Sequence, residues 1–298
     1  MKPAVSPKDY DVRANGLRFH VRAWGRAGQP VVLLHGLASS AQTWNLVAPL
    51  LARTYRVYAI DERGHGQSDQ PDEGYNLPTF VDDLAQIITA LAPAHPLENV
   101  ILVGHSWGSH VALAFAAAYP NLTSQLVMVD GGFGDSQMRE GWTWEVAEKQ
   151  MMPPDLRMPL PAFVDRLRER FGALYSDEIR DAVLGNVWID ERGVIHPHLT
   201  REHHMLLARA IWENRPSLTY PKIRCPTLLV AVEPPGWGND PDRLRWKRRM
   251  VALADQRLPR SQVLWFRDTI HDIQLQRPSE LASAIVQFAQ TSHPPSHA

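Results

Sequence analysis

The pentapeptide Gly104-His105-Ser106-Trp107-Gly108 constrains this chain most, because of the segments on either side of it. The apolar run Val100 to Val103 before it predicts a buried strand, and the Ala-rich segment Ser109 to Tyr119 after it predicts a helix. A serine on so sharp a strand-to-helix turn needs glycine on both sides, since a Cβ there would collide with neighbouring backbone. The helix directs its first N–H groups and its positive dipole end at the serine oxygen. The motif and its context therefore predict that Ser106 is a nucleophile.

Short apolar runs and helical segments alternate through the first half of the chain and again near its end. Continuous apolar runs of this length are typical of buried parallel strands, and their alternation with helices predicts an α/β fold with a mostly parallel central sheet flanked by helices. The predicted strands are a hairpin of Val12–Ala14 and Leu17–Val21, then Pro30–Leu34, Val57–Ile60, Val100–Val103, Leu126–Val129, Thr227–Val232 and Val263–Phe266. The predicted helices are Thr79–Leu91, Ser109–Tyr119, Leu244–Leu253 and Ser279–Phe288.

The pattern changes between residues 133 and 220, where helical periodicity continues without a convincing strand. We therefore expect an α/β core whose first part is residues 1–132, a helical cap inserted as residues 133–220, and a second part of the core at residues 221–290. Residues 291–298 are polar and Pro-rich, which predicts a loose tail.

Composition excludes several classes of partner. The 298 residues carry 31 Lys and Arg against 32 Asp and Glu, a balance that favours neither nucleic acid nor an anionic membrane as partner. The one basic cluster has the spacing of a solvated helix face. Its members are Arg243, Arg245, Lys247, Arg248 and Arg249. No segment approaches the roughly 20 apolar residues of a membrane span. The single cysteine, Cys225, excludes a disulfide within the chain and so points to the cytoplasm, while the oligomeric state stays unknown.

A nucleophilic serine needs a base, and position selects one of the 13 histidines. His271 follows the last predicted strand, which places it at the carboxyl edge of the sheet, the same edge that carries Ser106. Histidines of the predicted cap lack an accompanying cysteine or carboxylate framework, so we expect no metal site there. These histidines are His196, His198, His203 and His204.

Four motifs in this order resemble the α/β-hydrolase family, specifically its esterase-like members with a helical lid. They are His35-Gly36, the segment Asp61 to Ser68, the Gly104 to Gly108 pentapeptide, and His271-Asp272 followed by Gln276-Arg277-Pro278. The resemblance covers nearly the whole chain. It implies a Ser-centred mechanism that uses no cofactor and no metal.

The same resemblance implies an oxyanion hole made by two backbone N–H groups, those of Leu37 and Trp107. It further implies that four polar residues near these loops brace them by hydrogen bonds rather than taking part in catalysis. These are His35, Asp61, Arg63 and His65.

The acid of a Ser-His-Asp triad has two candidates. In the family pattern it follows the strand Thr227 to Val232 in a Gly-x-x-Asp sequence, but here Pro235 occupies the aspartate position. Some family members, including certain lipases and dehalogenases, carry the acid at the end of the strand that here precedes Asp130. We favour Asp130 and keep Asp240, which would serve if the loop after the later strand is longer than usual.

These features together predict a carboxylesterase-like serine hydrolase. The expected substrate is an ester with a small or medium hydrophobic acyl group, held in a pocket that includes Trp44, Trp142 and Trp188. Hydrolysis of a lactone, an amide or a C–C bond, or perhydrolysis, would use the same triad, whereas a dehalogenase is disfavoured because position 106 is serine. An alternative of another class is a ligand receptor that has lost turnover, for which the proline at the usual acid position leaves room.

Overall fold

The computed structural model describes residues 6–91, 97–236 and 241–292. Within these residues, eight strands form one sheet and two short strands pair separately. The strands are β1 (Lys8–Ala14), β2 (Leu17–Trp24), β3 (Pro30–Leu34), β4 (Arg56–Ile60), β5 (Val100–His105), β6 (Thr123–Val129), β7 (Val187–Ile189), β8 (Ile195–Pro197), β9 (Thr227–Glu233) and β10 (Ser261–Arg267).

The large sheet has the strand order β1-β2-β4-β3-β5-β6-β9-β10. The pairs β1·β2 and β2·β4 are antiparallel, and every other neighbouring pair is parallel. The turn of the β1–β2 hairpin has φ of 47° at Asn15 and 76° at Gly16, the left-handed region that a two-residue turn of this kind requires. The predicted α/β fold with a mostly parallel sheet is therefore confirmed.

Helices cover both faces of this sheet, because its central strands are apolar on both sides. In β3, Val32 and Leu34 belong to an apolar cluster that also contains residues of α2, α3 and α8, while Val31 and Leu33 belong to a second cluster that contains residues of α1 and α10. The helices are α1 (Ala48–Leu51), α2 (Leu77–Leu91), α3 (Trp107–Ala118), α4 (Trp144–Met151), α5 (Leu160–Phe171), α6 (Asp177–Leu184), α7 (Arg201–Glu213), α8 (Pro241–Arg257), α9 (Ile273–Gln276) and α10 (Pro278–Thr291). None of the helices in the described residues is long and apolar enough to cross a membrane.

The segment between β6 and β9 is mainly helical, with α4 to α7, but it also contains the antiparallel hairpin β7–β8. The expectation of no strand there was wrong. Each of these strands has only three residues, below the length at which alternation can be recognised, and the turn between them is held by the Asp190 carboxylate, which accepts hydrogen bonds from the N–H groups of Arg192 and Val194. Several apolar side chains of this segment form a cluster of their own, including Phe163, Leu167 and Val183. The division into core and cap remains a prediction.

Candidate active site

Ser106 lies at the junction of β5 and α3 in a backbone conformation that side chains rarely adopt, with φ 52° and ψ −113°. The two flanking glycines are required by packing. A Cβ on Gly104 would lie 2.1 Å from the carbonyl oxygen of Gly108, and a Cβ on Gly108 would lie 2.6 Å from the carbonyl oxygen of Leu34. The predicted reason for glycine on both sides of the serine therefore applies at both positions.

The fold brings His271 and Asp130 into contact although they lie 141 positions apart in the sequence. Asp130 follows β6 and His271 follows β10, at the same edge of the sheet, and the distance from His271 Nδ1 to Asp130 Oδ2 is 2.6 Å. The carboxylate can only accept, so Nδ1 carries the proton and donates it. Nε2 of this tautomer keeps its lone pair and can accept a proton from a hydroxyl group.

Backbone contacts hold Ser106 beside this pair. The Ser106 N–H donates to the carbonyl oxygen of Val129 at 2.9 Å, and a Cβ on Gly131 would lie 2.6 Å from Ser106 Cα. His105 Nε2 donates to the carbonyl oxygen of His271 at 2.9 Å, with the two ring centroids 4.6 Å apart. Within the described residues the Ser106 hydroxyl makes no hydrogen bond to another protein group.

Asp130 is almost fully buried and is surrounded by donors. Its Oδ1 lies 2.5 Å from Lys247 Nζ and accepts the Val232 N–H at 3.1 Å. Burial raises the pKa of Asp130, but the hydrogen bond and charge of His271, together with Lys247, outweigh that effect and lower the pKa to about 2. The carboxylate is therefore ionised throughout the ordinary pH range.

The position of Lys247 was not anticipated. Its side chain is buried, so the prediction that the basic cluster forms a solvated helix face is wrong for this member. A sequence signal did exist, because Lys247 lies three residues after Leu244, three before Met250 and four before Val251, on the stripe of α8 that is buried. A lysine on the apolar stripe of a helix needs a buried acceptor or a negative charge beside it, because a buried ammonium group without one is unfavourable.

The pKa of His271 is raised above its ordinary value of 6.5. Desolvation alone would lower this pKa, but the hydrogen bond that His271 donates to Asp130 and the charges of Asp130 and Asp272 raise it, while the charge of Lys247 opposes them. The His271 side chain is still 50% exposed, which leaves the ring accessible to a substrate. Burial and the neighbouring His271 lower the pKa of His105 to about 4, so His105 is neutral and serves as a donor to backbone.

Two backbone donors lie beside Ser106. A Cβ on Gly36 would lie 3.1 Å from Ser106 Cβ, so the loop that carries Leu37 passes next to the serine. Trp107 follows Ser106 directly as the first residue of α3. In the described part of the chain, the N–H groups of Leu37 and Trp107 donate to no other protein group. Both are thus available to an oxygen atom bound near Ser106.

Four polar residues around these loops form internal hydrogen bonds, as predicted for loop braces. His35 Nε2 accepts the Glu62 N–H at 3.1 Å, and His65 Nε2 accepts the Ala38 N–H at 3.3 Å. The Asp61 carboxylate accepts the Ala41 and Gln67 N–H groups and a bond from His20, and Arg63 makes two bonds to Asp83. These contacts fix the loop that carries Leu37 relative to the sheet.

A cavity of about 280 Å³ lies between the β6–β9 segment and the sheet edge. Phe163, Leu167 and Val183 line it from the inserted segment, and Leu37 and Ala38 line it from the loop beside Ser106. The lining is mainly apolar, with a few polar groups that include Thr43, His65, Arg170 and Asn186.

None of the three tryptophans predicted for the pocket lines this cavity. Trp44 is fully buried in the core next to Val47, and Trp188 is nearly half exposed and stacks on His196 with ring centroids 4.3 Å apart. Trp142 lies under the guanidinium of Arg139, 4.6 Å away. Each of the three tryptophan rings packs outside the cavity, and smaller apolar side chains of α5 and α6 line it instead.

The alternative acid, Asp240, lies outside the described residues. Among the described residues, no group of three or more His, Cys, Asp or Glu side chains could hold a metal ion. The histidines of the inserted segment have other contacts: His196 pairs with Asp190 at 3.0 Å, and His203 stacks on Tyr75.

Comparison with known proteins finds one family among the matches. The sequence profile of the Alpha/beta hydrolase family matches residues 31–284. The chain is 35% identical over 114 residues to the 2-(acetamidomethylene)succinate hydrolase of Mesorhizobium japonicum, covering 38% of this chain and 39% of that protein. It is 34% identical over 122 residues to epoxide hydrolase 4 of Mus musculus, covering 40% and 33%. The chain thus spans between a third and two fifths of the length of these relatives.

The similarity to solved structures extends over nearly the whole fold. The crystal structure of E-2-(acetamidomethylene)succinate hydrolase superimposes with a TM-score of 0.76 at 23% identity, covering 95% of this chain and 99% of that one.

Proposed function

Because this chain belongs to the alpha/beta hydrolase family, we propose that it is a serine hydrolase acting on carboxylic esters through Ser106, His271 and Asp130. The observation that carries the proposal is the 2.6 Å hydrogen bond between His271 Nδ1 and a buried, ionised Asp130. This bond fixes the tautomer of His271 that a general base requires.

In the proposed first step, Ser106 Oγ attacks the ester carbonyl carbon while His271 Nε2 takes the hydroxyl proton. The carbonyl oxygen becomes an oxyanion and accepts hydrogen bonds from the N–H groups of Leu37 and Trp107, each such donor contributing about 3 kcal/mol in comparable enzymes. Asp130 stabilises the imidazolium that forms. The tetrahedral intermediate collapses as the C–O bond to the alcohol breaks, and the alcohol leaves with the proton from His271.

In the second step, water attacks the acyl-enzyme. His271 takes a proton from the water, a second oxyanion forms at the same two N–H groups, and the bond between the acyl carbon and Ser106 Oγ breaks. The carboxylic acid leaves and Ser106 recovers its proton from His271. No other reactant is consumed.

We further propose that the acyl group is small or medium and hydrophobic, and that residues 133–220 act as a cap over it. The support is the cavity of about 280 Å³, whose mainly apolar lining comes from both α5–α6 and the Leu37 loop. Amide hydrolysis is the second candidate, since a relative matched over part of its length is named for a substrate with an acetamido group.

The proposal is tested with a fluorophosphonate probe, which reacts covalently with an activated serine. We expect the wild-type protein and the variant Ser283→Ala, which removes an exposed hydroxyl on α10, to be labelled, and Ser106→Ala to be unlabelled. A panel of p-nitrophenyl esters, lactones and amides then identifies the bond that is cleaved. A wild-type protein that neither labels nor hydrolyses any of these would contradict the proposal and favour a ligand receptor.

A further inference from the structure

We propose that Lys247 is a positioning residue of this active site: it holds one oxygen of the Asp130 carboxylate so that the other faces His271. This inference rests on the proposed function and assigns a role to a residue of the basic cluster on α8.

The geometry divides the carboxylate between two sets of donors. Asp130 Oδ1 accepts hydrogen bonds from Lys247 Nζ at 2.5 Å and from the Val232 N–H at 3.1 Å. Asp130 Oδ2 accepts one from His271 Nδ1 at 2.6 Å. Lys247 Nζ also donates to the Val232 carbonyl oxygen at 2.7 Å. The ammonium is thereby fixed to the end of β9, and it in turn fixes both the position and the rotation of the carboxylate.

Burial makes this contact energetically significant. The side chains of Asp130 and Lys247 are 4% and 10% exposed, so their interaction is not the weak, screened kind found between surface charges. Removing one member of a buried pair leaves the other charge uncompensated. Asp130 also has a left-handed backbone, with φ 46°, a conformation that surrounding contacts must maintain.

Lys247 also changes the electrostatics of His271. While His271 is neutral, Asp130 and Lys247 form a pair without net charge. When His271 gains a proton during the reaction, the negative charge of Asp130 stabilises the resulting imidazolium, and the positive charge of Lys247 destabilises it. Lys247 therefore lowers the pKa of His271 relative to a site with Asp130 alone, which keeps more of the base neutral near pH 7.

Among the residues that the structure describes, three other charged or titratable groups near the pair have contacts of their own. Asp272, next to His271, pairs with Arg170 of α5 at 2.7 Å. Glu233, at the end of β9, pairs with Arg248 of α8 at 2.9 Å. His105 contacts His271 from β5 in its neutral form. Lys247 contacts Asp130 directly.

The test compares Lys247→Met with Arg248→Met. Methionine keeps the length and apolar stem of the lysine without its charge, and Arg248 is the next residue on α8, so its replacement removes the same charge from an exposed pair. We expect Lys247→Met to lower kcat by about tenfold or more with little change in KM, and to move the acidic limb of kcat/KM upward by roughly half a pH unit or more. Arg248→Met leaves both unchanged.

A second variant, Lys247→Gln, separates charge from hydrogen bonding. It retains an N–H donor without the charge, so the upward shift of the pH limb should persist while part of kcat returns. An unchanged pH limb in both variants, or loss of folding in both, assigns Lys247 a structural role and overturns the inference. A wild-type protein that is inactive and unlabelled by the probe contradicts the proposed function itself.

Discussion

Ser106 and Asp130 share a backbone feature that is uncommon in side-chain-bearing residues, since their φ angles are 52° and 46°. Each is held there by direct contacts: the N–H of Ser106 donates to Val129, and that of Asp130 donates to the carbonyl oxygen of Val230 at 2.8 Å. Strain of this kind is retained where surrounding structure enforces it, often at functional sites. The backbone geometry of the two residues thus sets the direction of their side chains.

Replacing Asp130 by asparagine should reduce kcat by ~10³ to 10⁴, because an amide no longer fixes the tautomer of His271 or stabilises its charged form. Steady-state kinetics with a p-nitrophenyl ester measure the loss. Asp240→Asn serves as the comparison, since Asp240 is the alternative acid, and it should keep near-normal turnover. The reverse outcome would assign the acid to Asp240.

The pH dependence of kcat/KM should follow a single acidic limb. His271, the proposed base, can accept a proton only when neutral, and its pKa is raised above 6.5, so activity should rise with pH through a midpoint above 6.5. Asp130, with a pKa of about 2, stays ionised over this range and adds no second limb. Circular dichroism at each pH excludes unfolding as the cause. A flat profile between about pH 5 and 8 would argue against a histidine base.

At the scale of elements, the site is built where β5, β6 and β10 end at one edge of the sheet. β5 leads into Ser106, β6 into Asp130 and β10 into the loop of His271. Because these strands run parallel in one sheet, their carboxyl ends lie at the same edge, and so do the residues that follow them. Gly131, which has no Cβ, lets the loop after β6 approach the Ser106 backbone.

Gly131→Ala should disrupt this approach. A Cβ there would lie 2.3 Å from the Ser106 carbonyl oxygen, a backbone atom that cannot move aside, so we expect a loss of roughly 1–3 kcal/mol in unfolding free energy together with reduced kcat/KM. Gly193→Ala is the control, because its Cβ would meet nothing within 4 Å and its left-handed φ of 75° costs only about 1 kcal/mol. Denaturant unfolding and ester kinetics on both variants measure the difference. Full activity in Gly131→Ala would show that the close approach is dispensable.

At the scale of the whole molecule, the cavity exists because a segment of about 100 residues between β6 and β9 packs an apolar cluster over the edge of the sheet that carries Ser106. Leu275 of α9, from the end of the chain, belongs to that cluster. The same residue lines the cavity, so the inserted segment and the last part of the sheet meet there.

Two substitutions should change acyl-chain preference in opposite directions. Leu167→Ala enlarges the cavity and should raise kcat/KM for octanoate relative to butyrate, whereas Ala182→Leu reduces the space and should lower that ratio, each by about tenfold. Leu218→Ala, at a side chain that is 64% exposed, should leave the ratio unchanged. A series of p-nitrophenyl esters gives the ratios. An unaltered preference in both variants would place the acyl group elsewhere.

Most of the fold could be predicted from local pattern. Apolar runs predicted the central strands, such as β3, β5, β6 and β9, within a few residues, because burial on both faces leaves a continuous hydrophobic signal. The hairpin β7–β8 was missed because three-residue strands carry too little pattern. The three tryptophans predicted for the pocket do not line the 280 Å³ cavity, because residue type does not indicate what a side chain packs against.

The sequence by itself determined the α/β architecture and the context of Ser106, since strand-turn-helix propensity and the need for glycine at 104 and 108 are local properties. Only the tertiary structure brought Asp130 within 2.6 Å of His271 and turned Lys247 inward against the same carboxylate. Those contacts join residues more than a hundred positions apart, through strand order and the burial of one face of α8. No local pattern encodes which distant charge a buried lysine or histidine will meet.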